Sequence, residues 1–139
     1  MTAVQSLEFG SPLGIWIQFT LILSVLVLAS LVVGRRSVRV GAPLAGLAVL
    51  LAWLVSGRSF HRAETTDHEV ALHYPIPPRV VRLPAETIAG ATWRPWYKGA
   101  WVLDVTTRGG GRYTSIVVGR GRMEALEPRV IQSPLGVSR

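Results

Sequence analysis

Cysteine is absent from this chain. Disulfides, thiolate metal sites and cysteine nucleophiles are therefore excluded together. The absence does not choose a compartment; it only takes away one reason to favour an oxidising one. Acidic side chains are scarce too: eight Asp and Glu stand against fifteen Lys and Arg, giving a net charge of +7, and lysine occurs only at Lys98. Charge of either sign is missing from Leu13 to Val33, where Gln18 is the one strongly polar side chain.

At the α-helical rise, that uncharged run reaches roughly 30 Å, the thickness of a hydrocarbon core. A cleaved signal peptide carries a basic leading region, whereas the residues before Leu13 hold Glu8 as their only charge. The run is therefore expected to be a retained membrane helix. Gly34-Arg35-Arg36-Ser37-Val38-Arg39 interrupts the apolar sequence, and a second uncharged run follows from Val40 to Gly57, with Pro43 expected in its first turn. A soluble protein would have to bury both runs in its core, more than the remaining chain can cover.

So short a connection makes the two helices antiparallel neighbours. Gly41, Ala45, Ala48 and Ala52 share one face of the second helix, and such small residues let another helix approach closely. Thr20 and Ser24, one turn apart on the first helix, are the residues expected to meet that face; a partner's helix is the other occupant considered. Neither run contains an ionisable residue, so an ion pathway, a proton relay or histidine-held haem or chlorophyll is not expected there. The hairpin anchors. Near the membrane, Arg35, Arg36 and Arg39 in the loop oppose Arg58 and Arg62 after the second helix, which leaves orientation open.

The expected division is an N-terminal segment over 1–12, a two-helix transmembrane hairpin over 13–57, a polar linker over 58–67, a small β-rich domain over 68–131 and a tail over 132–139. Val70, Leu72 and Tyr74 alternate with Glu69, Ala71 and His73, and Arg79 to Leu83 gives a second short strand. The segment from Ala85 to Ala91 is a turn leading to a strand. Trp101 to Thr106, Arg108-Gly109-Gly110-Gly111-Arg112 and Tyr113 to Val118 make a hairpin with a glycine-rich turn. Arg122 to Ile131 predicts a short helix broken or ended at Pro128, and the tail is expected to be ordered only by a partner.

A membrane hairpin followed by short antiparallel strands and a terminal helix resembles the small pleckstrin-homology-like domains of bacterial membrane proteins. The likeness runs from about Glu69 to Val130, through Thr87-Ile88-Ala89-Gly90-Ala91, the Trp101 to Val118 hairpin and the closing Arg122 to Val130 segment. It rests on layout and hydrophobic spacing. The fold it implies is a partly open β-barrel with a C-terminal helix, usually cytoplasmic, at a bacterial inner membrane. Some relatives assist or belong to photosynthetic and other energy-transducing assemblies. The short, proline-rich second strand departs from the usual pattern and bears on barrel closure.

Between Thr92 and Trp101 the chain gathers three of its five tryptophans with Arg94, Tyr97 and Lys98. Tryptophan, tyrosine and arginine are residues of membrane interfaces and binding hot spots. Trp93, Arg94, Trp96, Tyr97 and Lys98 are therefore candidates for contact with a partner or lipid, while Trp101 is expected in the core. Arg120 and Arg122, in Gly119-Arg120-Gly121-Arg122, join them as a solvated basic turn. The dinucleotide pattern would need glycine where Glu124 stands. His61, His68 and His73 match no zinc spacing. No nucleophile elbow, phosphate loop or zinc-protease motif occurs, and the carboxylates are unpaired in sequence. Asp104 is expected to face solvent or to partner Arg112 across strands. From Arg58 onward the basic residues are scattered, so anionic lipid accounts for them more simply than nucleic acid.

These features point to a non-catalytic accessory or assembly subunit without catalytic, metal or cofactor residues, beside larger integral membrane subunits of a bacterial photosynthetic or respiratory complex. The alternative is a free-standing anchored module that binds anionic lipid headgroups or a signalling partner.

Overall fold

The computed structural model describes residues 4–35 and 38–136. Arg36 and Ser37 of the basic connection, and Val137 to Arg139 of the tail, lie outside the described residues.

Strand β1 (Gln5–Glu8) comes first, before any helix. Helix α1 (Pro12–Gly34) follows at once: the Ser11 side chain accepts a hydrogen bond from the Leu13 N–H, and Pro12 occupies the first turn, where no donor is needed. It is long and apolar enough to cross a membrane, and Ser30 is its only buried residue. A core helix of a soluble domain would be mostly covered, whereas here Leu13, Ile17, Leu21, Val25, Leu28 and Val32 stand exposed.

Helix α2 (Val38–Ser56), shorter and also apolar, packs antiparallel against α1. It starts earlier than the uncharged run does, so Pro43 lies inside the helix instead of in its first turn. Gly41, Ala48 and Ala52 are buried and Ala45 half-buried, so the small-residue face of α2 is the seam of the hairpin. From α1 the seam receives Phe19, Leu23, Leu26, Ser30 and Gly34, at helical spacing. Thr20 and Ser24 do not meet it: both are exposed, about one residue's rotation away. At the connection end the small residues Gly34 and Gly41 bring the backbones together, and the Thr20 hydroxyl is satisfied within its own helix by the Trp16 carbonyl at 2.8 Å.

Beyond the hairpin, the stretch expected as a linker is built into the domain. Strands β2 (Ser59–Phe60) and β3 (Arg62–Thr65) bury Phe60 and Ala63 completely. Strands β4 (Glu69–Pro75) and β5 (Pro78–Pro84) follow, and a 3-10 turn at Ala85–Thr87 leads to β6 (Ile88–Pro95). The central hairpin is β7 (Ala100–Thr107) with β8 (Arg112–Ser115), and the two-residue β9 (Val118–Gly119) pairs with the start of β7. One antiparallel sheet has the order β1-β3-β4-β5. The other has the order β2-β8-β7-β6, with β9 beside β7, and β2 runs parallel to β8. Neither sheet closes on itself.

The inner faces of both sheets share one core, with Leu7, Phe60, Val70, Leu72, Leu103 and Val105 at its centre. Phe60 meets Phe9 and Tyr74 edge to face, an arrangement favoured by aromatic quadrupoles. Helix α3 (Arg120–Ile131) buries Met123, Leu126 and Val130 and continues through Pro128. The tail then turns back: Leu135 is fully buried and Ser133 nearly so, which corrects the expectation that this segment needs a partner to order it up to Gly136.

Two junctions fix the hairpin to the domain. Phe9 donates its N–H to the His61 carbonyl at 2.9 Å just before α1, and Arg79 donates to the Gly57 carbonyl at 3.1 Å just after α2.

Candidate functional site

Strand alternation divides β6 between two environments. Trp93 points inward, half-buried against the core with its ring 6.2 Å from that of Phe9, and its indole N–H is buried without a partner. Arg94 points to the outer face of the sheet. There it meets Asp104 of β7, which sits between the arginine-bearing strands β6 and β8. Asp104 is buried and collects three donors: Arg94 Nε at 2.8 Å, Arg112 Nη2 on the same Oδ2, and the Thr114 hydroxyl at 2.7 Å on Oδ1. Arg94 and Arg112 reach it diagonally from opposite sides, the cross-strand geometry that lets long side chains pair.

Burial pushes the Asp104 carboxyl up, but the hydrogen bonds from Arg112, Arg94 and Thr114 outweigh it and hold the group below its ordinary value. The same hydrogen bond and charge raise Arg112. One carboxylate thus orients two guanidinium groups and neutralises one of them.

These arginines open onto a cleft of about 1160 Å³ between the outer face of the sheet and the first turns of α1. Arg58, immediately after α2, adds a third positive charge to its wall, and no acidic residue lines it. Gln18, the lone strongly polar residue of the apolar run, faces the same space. Trp96 lies at the rim with the Arg94 guanidinium 5.3 Å from its ring centre, and Ile15, Ile116 and Val117 supply an apolar side.

The other candidate residues are divided. Tyr97 and Lys98 stand in the β6–β7 turn, where the Lys98 ammonium lies 5.3 Å from the Tyr97 ring; Trp96 and Tyr97 are more than half exposed. Lys98 takes a positive φ of 49°, next to Gly99 at 77°. Arg120 and Arg122 belong to another surface: Arg120 pairs with Glu124 at 2.8 Å, and Arg122 donates to the Glu8 carbonyl at 2.6 Å, fastening α3 to β1. Trp101 is half-buried against the core. Arg58, Arg112 and Gln18 were not singled out by sequence as site residues, because only the fold brings them beside Arg94.

A second polar cluster lies where β2 passes into β3. Burial first, then the neighbouring His73, lowers the pKa of His61, and its Nδ1 is buried without a partner. His73 Nε2 lies 3.3 Å from Glu64 Oε2, outside good hydrogen-bond geometry. Among the described residues, no group of three or more histidine and carboxylate side chains is placed to hold a metal ion. No protein-family model and no curated protein matches the chain.

Proposed function

We propose that this protein is a non-catalytic, membrane-anchored accessory subunit, a two-pass hairpin inserted near the start of a β domain that it holds against the membrane surface. The observation that carries the reading is the position of β1. It precedes α1, yet it is paired residue for residue with β3, which follows α2. A chain that leaves the domain through a membrane-crossing α1 has to come back through a second crossing. α2, with 19 residues, offers roughly 28 Å for it, close to the hydrocarbon thickness.

The same strand argues against a removable signal sequence. Cleavage after α1 would take Leu7 and Phe9, both buried, out of the core. The strand order and closing helix support the pleckstrin-homology-like layout, with the hairpin inserted after the first strand. The parent assembly proposed is a bacterial energy-transducing complex at the inner membrane, with the domain on the cytoplasmic side. What supports a subunit role is an anchor without intramembrane charge, apolar outer helix faces, and the exposed Trp96–Tyr97 turn close to the anchor.

Mild-detergent purification of the tagged full-length protein from its native membrane, with mass spectrometry of what accompanies it, tests this reading. Stoichiometric recovery of larger membrane subunits is the expected result. A monodisperse monomer without partners overturns the subunit role and favours a free-standing module.

A further inference from the structure

We propose that the cleft formed by Arg58, Arg94 and Arg112 beside the start of α1 is a binding site for the phosphate of an anionic phospholipid. The inference rests on the two-pass reading, which puts the first turns of α1 at the headgroup level, but it makes no use of a protein partner.

Three features of the cleft support it. The first is charge: three arginines and no acidic residue line the cleft, and Asp104 beside it is already engaged by Arg94, Arg112 and Thr114. The cleft wall is left with a net double positive charge.

The second is preorganisation. Arg94 is held through its Nε, so its two terminal nitrogens are left as a pair; Arg112 is held through one hydrogen of Nη2, and the second Nη2 hydrogen completes a donor edge with a neighbouring nitrogen. Trp96 supports the Arg94 plane from one side. Guanidinium groups fixed in this way present paired donors to a phosphate without first losing side-chain freedom.

The third feature decides between lipid and free phosphate. The cleft is amphipathic: Ile15, Ile116 and Val117 form an apolar side that continues onto the exposed surface of α1, where an acyl chain would lie. Gln18 offers a polar contact further along the helix, at the depth of a glycerol ester. A site for a soluble anion has no use for that apolar extension.

The experiment is native mass spectrometry of the full-length protein in mild detergent, titrated with phosphatidylglycerol or phosphatidylcholine. The wild type is expected to retain the anionic lipid about tenfold better, the size of one good charge-assisted contact. Arg94→Gln/Arg112→Gln should fall to the phosphatidylcholine level, whereas Arg82→Gln/Arg108→Gln, with the same loss of charge outside the cleft, should keep the preference. Because the cleft double variant leaves Asp104 without its ion pairs, Arg58→Gln serves as the second probe and should weaken retention several-fold with the Asp104 cluster intact. Equal retention of the two lipids by the wild type, equal losses in the two double variants, or an unchanged Arg58→Gln protein would each overturn the proposal. Millimolar inorganic phosphate is expected to leave the lipid preference in place; complete competition would show a free-phosphate site and remove the lipid. A protein that fails here and still brings down membrane subunits would retain the accessory role. One that passes here and purifies alone would lose it.

Discussion

Gly41 of α2 lies directly against Gly34 of α1: a β-carbon added to Gly41 would stand 2.7 Å from the Gly34 Cα and 3.3 Å from the Ser30 carbonyl oxygen. The obstacle is backbone, which cannot swing aside as a flexible side chain can. On the two-pass reading, close approach between these helices in lipid is favoured by van der Waals contact. Gly41→Val should therefore force the helices apart at the connection end and destabilise the protein by about 1–3 kcal/mol, the usual cost of overpacking. Gly46→Val, where the added group meets nothing within 4 Å, is the control and should be nearly neutral. Thermal unfolding in detergent compares them; equal midpoints would remove this contact from the account of the hairpin.

Asp104 supports a second prediction. Its pKa lies below the ordinary 3.8, so the stability it supplies is fully present above that value and is lost as pH falls through the lower folded-state pKa. Asp104→Asn removes the charge at every pH and leaves Arg94 and Arg112 repelling each other. Because both arginines are substantially exposed, water offsets part of the loss, and about 1–3 kcal/mol at neutral pH is expected. The variant should also show a shallower loss of stability in acid, below about pH 4. Urea unfolding of the two proteins at neutral pH and at pH 3 checks both parts.

His61 acts on a different pH range. Burial lowers its pKa below 6.5, so the folded protein favours neutral imidazole while the unfolded chain accepts a proton more readily. Its contribution is present above pH 6.5 and is lost as pH falls through the folded-state value. As pH falls below 6.5 the wild type should lose more stability than His61→Gln does. Parallel slopes for the two proteins over that range would show that another group titrates there.

The same residues show how far the sequence can be read. The run from Leu13 to Val33 is legible because a long stretch without charge has few other uses, and the β7–β8 hairpin because alternation meets a glycine turn. β1 is not legible: it offers Leu7 as its one large apolar residue, and its partner β3 lies beyond both helices. In β3, Arg62 and Glu64 alternate with small Ala63 and Thr65, which in sequence resembles a polar linker although Ala63 and Thr65 are buried. Arg94 and Trp96 stood out through their aromatic surroundings. Arg58, Arg112 and Gln18 did not, since each is unremarkable where it stands in the chain and becomes part of a site only when β8, β6 and α1 converge.

The pairing of β1 with β3 leads to the last prediction, which concerns topology. With β1 built into the sheet that follows α2, residue 4 and the β domain should lie on one side of the membrane, and the connection near Arg35 on the other. The natural absence of cysteine allows a direct measurement, because a single introduced thiol is the only one present. Val4→Cys and Arg108→Cys, both at exposed positions, should react together with a membrane-impermeant maleimide from one face of sealed vesicles. Arg35→Cys, also exposed, should react from the opposite face. If Arg35→Cys and Arg108→Cys are labelled from the same side, α1 and α2 do not both cross. The hairpin would then lie along the membrane surface, and the cleft beside α1 would sit above the headgroups instead of among them.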